Sequence, residues 1–297
     1  MTTFKHIVSA NEEDMEVREI MREHFDFSAR LRNRVKREKL VKRNGLQTEG
    51  WHRVREGDVI SVTLPDEQSN FPPEDIPLDI VFEDNDIMII NKQPGLIVHP
   101  TKGHPYGTVA NALSYYMQEK EQAWKIRFVN RLDMDTSGLL VIAKNSYCQN
   151  EYTNQSRKNQ VKKRYIAIVK GIIEEENGTI DLPIGRPDPV DVRRAVIEGG
   201  SPSVTHYTVL ERYEKTGFTL VELLLETGRT HQIRVHMSFI GHPILGDHLY
   251  GGEDVRLIER QALHAAKLEF KHPITKEKLK LTAPIPQDMM DAIDKIK

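Results

Sequence analysis

Apolar residues in the N-terminal part of the chain recur at helical spacing. Between residues 14 and 38 they stand three and four positions apart, which places their side chains on one face of an α-helix. The positions concerned are Val17, Ile20, Met21, Phe25, Leu31 and Val35. The pattern predicts two short helices in this stretch.

Alternation of apolar and polar residues follows the predicted helices. A turn signal at Asn44-Gly45 precedes the run 54–64, which alternates after a tight turn at Gly57 and so predicts a half-buried strand. With the two helices, this strand predicts a small α/β module over residues 1–65. Residues 66–79 are then rich in proline, acids and small polar residues, which cannot build a core. We expect an acidic linker there.

Residues 80–297 have the pattern of a second, larger domain. Short apolar runs bounded by turn residues predict strands. These runs cover residues 80–82, 87–90, 138–143, 165–169, 204–210 and 220–225. The first two flank an acidic turn and favour antiparallel pairing, and a helix is expected after Gly228. Strands and helices do not alternate regularly, so the sequence predicts an α+β fold and not a doubly wound parallel sheet.

Composition is that of an ordinary globular enzyme. Hydrophobic residues make up 38% of the chain and charged residues 29%, with a mean hydropathy of -0.52. No apolar run approaches the ~20 residues that span a bilayer, and the N-terminus lacks the features of a signal peptide. We therefore expect a cytoplasmic protein without membrane contact. The single cysteine, Cys148, excludes an intrachain disulfide and a cysteine-type zinc site.

Charge is sorted by region although the net charge is only -2. From Arg18 to Arg55 the chain carries 12 Lys or Arg against 5 Asp or Glu, whereas 65–91 carries 8 acidic residues and no Lys or Arg. A local basic excess of this kind suits phosphate binding.

The stretch 128–144 is a polar loop that leads into an apolar strand, an arrangement that often positions reactive groups. It contains Asp133 and Asp135. Taken alone, Asp133 is typical of a turn or a helix cap, because aspartate bonds readily to nearby backbone. A chemical role for it therefore depends on context.

The stretch 223–237 contains a strand, a glycine turn and the start of a helix. Thr230 is the expected helix cap. His231 and His236 stand five residues apart, which on a helix separates them by ~140°, so they are not expected to share a metal ion. Arg234 lies among apolar residues, where a partly buried guanidinium needs an acidic partner.

Together these stretches resemble the RluA-type pseudouridine synthases. The signature loop of that family, Arg-Leu-Asp-x-x-Thr-Ser-Gly-Leu, begins here at Arg131, and its later motif, Gly-Arg-Thr-His-Gln-Ile-Arg-Val-His, begins at Gly228. Three further motifs match in order, and the resemblance covers roughly residues 80–285. Asn130 departs from the family pattern, because many members carry His at that position.

The resemblance implies the pseudouridine synthase fold, with a central mixed, mainly antiparallel sheet, and isomerisation of uridine in structured RNA without a cofactor or metal. Asp133 would be the catalytic carboxylate, acting by covalent attack or by removing the C2′ proton. Arg234 would pair with Asp133 and keep it ionised, Tyr165 would stack on the flipped uracil, and Arg131 would fill the vacated space or bind phosphate. Asp135 is expected to be only a loop residue.

The N-terminal basic segment resembles, more distantly, an S4-type RNA-binding module. RNA contact is favoured over a merely solvated helix face. The residues expected to make it are Arg30, Arg32, Arg34, Lys36, Arg37, Lys39, Lys42 and Arg43. Large-subunit ribosomal RNA is the expected substrate, transfer RNA is the alternative, and a monomer is expected.

Two other functions compete with this interpretation. The first is an RNA-binding protein of the same fold without activity. The second is a hydrolase that uses Asp133 and Asp135 as an acid and base on a glycosidic bond. Release of free uracil would indicate the hydrolase.

Overall fold

The computed structural model describes residues 2–65, 67–101, 103–188 and 190–297. Within these ranges the chain forms six α-helices and sixteen strands. The helices are α1 (Val17–His24), α2 (Ala29–Arg37), α3 (Val109–Glu119), α4 (Ser146–Arg157), α5 (Gln232–Phe239) and α6 (Gln287–Ile296). The strands are β1 (Thr3–Ile7), β2 (Val41–Arg43), β3 (Leu46–Gln47), β4 (Val59–Thr63), β5 (Asp79–Glu83), β6 (Ile87–Lys92), β7 (Arg127–Phe128), β8 (Ser137–Ala143), β9 (Lys162–Lys170), β10 (Asn177–Asp181), β11 (Ile184–Gly185), β12 (Ala195–Val196), β13 (Val204–Tyr213), β14 (Phe218–Leu225), β15 (Leu263–Lys271) and β16 (Lys278–Thr282).

The N-terminal 65 residues build a four-stranded sheet in the order β1-β4-β2-β3, accompanied by α1 and α2. The two helices predicted from the apolar spacing are confirmed. Asn44 and Gly45, with φ of 53° and 83°, form the two-residue turn between β2 and β3. Both positive φ angles match the hairpin turn that Asn-Gly favours.

The larger sheet has the strand order β10-β13-β14-β9-β15-β8-β6-β5, with β16 added beside β15 and β7 beside β8. Its described strand pairs are antiparallel apart from the pair β15 and β8. The predicted α+β fold with a mixed, mainly antiparallel sheet is confirmed. At the parallel crossing, Gly138 has φ of 108°, and an added Cβ would lie 2.4 Å from the Ala265 carbonyl oxygen. Only glycine fits there.

Both faces of the larger sheet are covered. Alternate residues of β6 and β8 enter two different cores, as expected for strands buried on both sides. Met88, Ile90, Leu140 and Ile142 belong to the core beneath the cleft described below. Ile87, Ile89, Leu139 and Val141 belong to a second core that also contains apolar residues of α1, α2 and β4. The N-terminal sheet is therefore packed on the back of the larger one, where the Phe4 and Tyr147 rings lie 4.7 Å apart.

Residues 67–78 form neither helix nor strand and lie along the surface of the larger part. Glu67 pairs with Arg34 of α2 at 2.9 Å and also contacts Arg127 of β7. Glu74 accepts a hydrogen bond of 2.6 Å from the Gly107 backbone. Residue 66, at the start of the predicted linker, lies outside the described residues. The boundaries 1–65, 66–79 and 80–297 stay predictions.

Helix length and polarity also bear on membrane contact. Across the described ranges, no helix combines the length and apolar character that a bilayer span requires.

Candidate active site

A cleft of about 780 Å³ opens on the face of the larger sheet opposite the N-terminal module. Its walls are the loop 128–134, the side chains of Lys163 and Tyr165 on β9, and residues 228–234 at the start of α5. The two sequence stretches that carry the resemblance therefore meet in one cavity.

Asp133 lies in the loop between β7 and β8, with its side chain 18% exposed to the cleft. Side chains from elsewhere in the fold donate hydrogen bonds to the two backbone carbonyls that follow Asp133. Lys92 Nζ donates to the Met134 carbonyl at 2.7 Å, and Arg260 donates to the Asp135 carbonyl at 3.0 Å. These bonds fix the loop backbone just after Asp133 before any ligand arrives, and preorganisation of this kind favours catalysis.

Asn130 also anchors this loop. Its side chain donates to the Leu139 carbonyl at 3.2 Å and accepts from the Val141 backbone N–H at 2.8 Å. The amide thus continues the hydrogen bonding of β8 beyond its paired residues. Asn130 is therefore a structural anchor of this loop.

Lys92 is a buried cation beneath the loop. Its ammonium donates to three carbonyl oxygens, those of Gln93, Leu96 and Met134, at 2.7 to 2.9 Å. Three acceptors match the three N–H donors of a charged lysine. Burial lowers the pKa of Lys92 to about 7, although the charges of Asp135 and Asp133 oppose the shift.

Arg234 serves two carboxylates at once. Its Nε and Nη2 donate to Asp247 at 2.6 and 2.9 Å, and its Nη1 donates to Asp133 at 3.1 Å. Burial alone would lower the pKa of Arg234, but the two carboxylates raise it above its usual value. Asp247 is fully buried and Asp133 faces the cleft. The buried Asp247 thus neutralises the guanidinium, and the guanidinium in turn holds Asp133 at the cleft by a hydrogen bond.

His231 faces Asp133 from the start of α5, with 3.8 Å between its Nε2 and the Asp133 Oδ2. It stands at the N-cap in the left-handed conformation, with φ of 57°. The expectation that Thr230 caps this helix is wrong: the cap position belongs to His231, and no side-chain cap bond forms. Instead, Gln232 closes the preceding turn by accepting from Thr227 and from the Arg229 backbone.

Tyr250 orients His231. Its hydroxyl lies 2.9 Å from His231 Nδ1 and accepts a bond of 2.8 Å from the Arg194 backbone N–H. In the neutral tautomer whose Nδ1 accepts the Tyr250 hydrogen, the His231 proton is on Nε2, which lies 3.8 Å from Asp133 Oδ2. Burial lowers the pKa of His231, and the charge of Asp133 partly offsets this effect.

The second histidine of the motif has a different environment. His236 is fully buried, 2.9 Å from Thr205 Oγ1 and 3.0 Å from the Leu182 carbonyl. His231 faces the cleft and His236 lies in the core, so their side chains have no common ligand position.

Tyr165 lines the cleft from the middle of the sheet, on β9 between β14 and β15. Only 6% of it is exposed. Burial, and then the charge of Asp133, raise the pKa of its hydroxyl. A ring held this firmly presents a fixed apolar surface to the cavity.

Three cations on the wall of the cleft have no acidic partner among the described residues, namely Arg131, Lys163 and Arg229. Arg131 is exposed, and Lys163 lies near Gly228, where burial lowers the pKa of its amine. Sequence reasoning missed Lys163, although its spacing of two from Tyr165 on a strand places both side chains on one face. Unpaired cations at the mouth of a cleft suit an anionic ligand.

The predicted RNA-contacting residues of the N-terminal module fall into two groups. Arg34, Arg37 and Arg43 form ion pairs with Glu38, Glu67 or Asp58, and Arg32 donates to the Phe27 carbonyl. Arg30, Lys36, Lys39 and Lys42 are exposed and have no ion pair within the described part of the chain. The second group is the one available to a polyanion.

Known proteins resemble this chain over a region that includes both stretches of the cleft wall. Residues 86–239 match the family model described as RNA pseudouridylate synthase. The chain is 46% identical over 237 residues to an RNA pseudouridine synthase of Bacillus subtilis (strain 168) that is described as uncharacterized, covering 80% of this chain and 78% of the relative. It is 41% identical over 273 residues to ribosomal large subunit pseudouridine synthase D of Haemophilus ducreyi, covering 87% and 83%. The solved structure of human RNA pseudouridylate synthase domain containing 1 superposes with a TM-score of 0.58 at 31% identity, covering 72% of this chain and 85% of the human one.

Proposed function

This chain belongs to the RNA pseudouridine synthase family, and on that premise we propose that it isomerises uridine in large-subunit ribosomal RNA, with Asp133 as the catalytic carboxylate. The observation that carries the proposal is the position of Asp133, which is held by Arg234 at 3.1 Å in a cleft that Tyr165 also lines. The ribosomal substrate is supported by the name of the Haemophilus relative and others like it.

The reaction breaks the bond between uracil N1 and ribose C1′, turns the base, and joins its C5 to C1′. No atom is added or lost, so the protein has to supply orientation, charge and one reactive group. An ionised carboxylate can attack C1′ or take the C2′ proton, and both routes require Asp133 to face the ribose. The hydrogen bond from Arg234 Nη1 supports either route, because it orients the Asp133 carboxylate at the cleft wall.

Access to the base requires it to leave the RNA stack. The Tyr165 ring can stack on the flipped uracil and recover part of the lost stacking, worth about 1 to 3 kcal/mol per base. Arg131 and Lys163 are placed to bind the phosphates that flank the flipped nucleotide. Both cations lack an acidic partner within the described residues, so phosphate contact costs no existing ion pair.

The wider RNA contact is assigned to the S4-like module of residues 1–65. Lys36, Lys39 and Lys42 are the lysines of the predicted contact set, and all three are exposed and have no ion pair among the described residues. Replacing all three with Ala should weaken RNA binding and flatten its salt dependence, because each lost phosphate contact lowers the slope of log affinity against log salt by roughly 0.7 to 0.9. The matched control replaces Arg34, Arg37 and Arg43, which already pair with Glu38 or Asp58. An equal loss of slope in both sets would contradict the assignment.

The catalytic role is tested with Asp133→Asn, and Asp135→Asn is the matched control two residues away. Tritium release from RNA labelled at uridine C5 measures turnover, and filter binding measures affinity. We expect Asp133→Asn to lose turnover and keep RNA affinity, and Asp135→Asn to keep both. Residual turnover near the wild-type rate in Asp133→Asn would contradict the role. Free uracil as the product would favour a hydrolase, and wild-type protein without turnover would favour RNA binding alone.

The target uridine is found by mapping pseudouridines in cells that lack the gene, by carbodiimide-dependent stops of reverse transcription. A missing mark in large-subunit ribosomal RNA would support the proposal, and a mark missing only in transfer RNA would replace its substrate. The same proposal includes a cytoplasmic location and a monomer. The monomer is supported by the cleft, since one chain supplies all the site groups described above.

A further inference from the structure

Two histidines and a glutamate converge at one point of the N-terminal module, away from the cleft. His6 Nε2 lies 2.9 Å from Glu12 Oε2, and His24 Nε2 lies 2.5 Å from Glu12 Oε1. The three donor atoms all lie within 4.8 Å of one another. None of these residues belongs to the family motifs, and none contacts the candidate active site.

The three groups come from separate elements. His6 is on β1, Glu12 is in a short 3-10 helix (Ala10–Glu12), and His24 is the last residue of α1. The two imidazole rings are stacked 3.6 Å apart at an angle of 14°, so both rings present the same edge to one carboxylate. A simple ion pair needs only one of the two histidines.

The carboxylate itself is held by the backbone. Ser9 donates to Glu12 Oε2 from its N–H at 2.7 Å and from its hydroxyl at 2.6 Å. These bonds from Ser9, and then those from His6 and His24, lower the pKa of Glu12 to about 2. The Ser9 bonds fix Oε2, whereas Oε1 lies 3.1 Å from His6 Nε2 and 2.5 Å from His24 Nε2 and so faces both histidines. An outer hydrogen bond orients a metal-binding carboxylate in this way.

We propose that His6, Glu12 and His24 bind one divalent transition-metal ion, for which Zn²⁺ is the probe. Two imidazole nitrogens and one carboxylate oxygen are a usual ligand set for zinc. Ligands about 2.0 Å from a tetrahedral zinc lie about 3.3 Å apart. The carboxylate oxygens and ring nitrogens are 2.5 to 3.1 Å apart, which is shorter than that value, so side-chain rotations that move them apart by up to about 0.8 Å would admit the ion.

Exposure of the three side chains indicates the kind of site. Glu12 is 7% exposed, His6 20% and His24 33%. A water or a partner group can therefore reach a fourth position on the ion. The bound ion would tie β1 to the end of α1 and hold both imidazoles neutral, so metal binding should stabilise the module against unfolding.

The test uses the full-length protein after treatment with a chelator. Titration calorimetry should show one equivalent of Zn²⁺ bound to wild type, together with a rise in Tm, and Co²⁺ should give the visible absorption of a low-symmetry, protein-bound ion. His6→Gln and His24→Gln should each weaken Zn²⁺ binding by at least about ten-fold. Far-UV circular dichroism checks that the variants are folded.

His206→Gln is the matched control. His206 also pairs with a glutamate, Glu226, at 2.8 Å, but no third ligand stands beside that pair among the described residues. This variant should bind Zn²⁺ as wild type does. The proposal is overturned if wild type takes up no stoichiometric Zn²⁺, if His6→Gln and His24→Gln bind as tightly as wild type, or if His206→Gln loses binding equally. Because the readouts are metal binding and stability, they are independent of pseudouridine formation.

Discussion

Replacing Asp247 with Asn distinguishes the roles of the two carboxylates, Asp247 and Asp133, that bind Arg234. Asp247 has no exposed surface, Arg234 is 4% exposed, and two hydrogen bonds of 2.6 and 2.9 Å join them. The substituted amide would keep one acceptor oxygen, lose the negative charge and turn N–H donors toward a guanidinium that also only donates. Asp247→Asn therefore leaves a buried cation poorly compensated.

The size of the effect follows from burial. Breaking a buried ion pair by removing one partner costs about 3 to 5 kcal/mol. Asp133→Asn removes the other carboxylate, but that side chain is 18% exposed and Asp247 still neutralises Arg234, so the loss should be at most about 1 kcal/mol. At about 2 to 4 °C per kcal/mol, Asp247→Asn should lower Tm by at least roughly 6 °C.

Urea unfolding followed by circular dichroism measures both variants, and an unchanged slope m shows that the comparison is fair. Asp247→Asn should lose stability, whereas Asp133→Asn should lose turnover while its unfolding midpoint stays close to wild type. Equal midpoints for wild type and Asp247→Asn would refute the reasoning. So would an Asp133→Asn variant as unstable as Asp247→Asn.

Three further predictions concern single groups around the cleft. Burial lowers the pKa of Lys92 to about 7, so the amine should lose one of its three N–H donors as the pH rises from about 6 to 9, and activity should fall over the same range. Tritium release measured against pH tests this, and a flat profile would contradict it. In the same range the unfolded lysine, with its pKa near 10.5, stays protonated while the folded one does not, so this group's contribution to the free energy of unfolding rises between about pH 7 and 10.5. Gly138→Ala should lower the free energy of unfolding measured in urea by more than about 3 kcal/mol, because the added Cβ would lie 2.4 Å from the Ala265 backbone. Gly217→Ala is the control: it has open space around it and should lower the free energy of unfolding by about 1 kcal/mol. Similar losses in the two variants would contradict the clash. Tyr250→Phe removes the hydrogen bond that orients His231 and should slow single-turnover isomerisation by roughly ten-fold, which corresponds to about 1.4 kcal/mol. An unchanged rate would show that isomerisation does not depend on the bond between Tyr250 and His231.

Some of the site could be predicted from local pattern. The order of the motifs pointed to Asp133, Arg234 and Tyr165, and the structure brings all three to one cleft. Their chemical roles stay predictions. The spacing of Lys163 and Tyr165 was also a usable signal, because alternate residues of a strand share a face.

Other parts of the site gave no local signal. His231 lies 3.8 Å from Asp133 and has a left-handed conformation at the start of α5, whereas residue type had favoured Thr230 as the cap. Lys92 has the sequence of a strand end, and nothing around it indicates a buried ammonium with three carbonyl partners. The pattern of residues 66–79 predicted an acidic linker but contained no indication that Glu67 and Glu74 bind the neighbouring structure.

The sequence by itself determined helices α1, α2 and α5, seven of the strands, the turn at Asn44-Gly45, the fold class and the family, because these depend on periodicity and on motifs that are contiguous in the chain. Helices α3, α4 and α6 were not predicted from it. Tertiary structure alone decided which charges meet. Arg234 and Asp133 are 101 residues apart, and His6 and His24 are brought to one carboxylate from different elements. Such contacts depend on how the elements pack together, and a local pattern of apolar and polar residues does not specify which distant side chain will stand opposite.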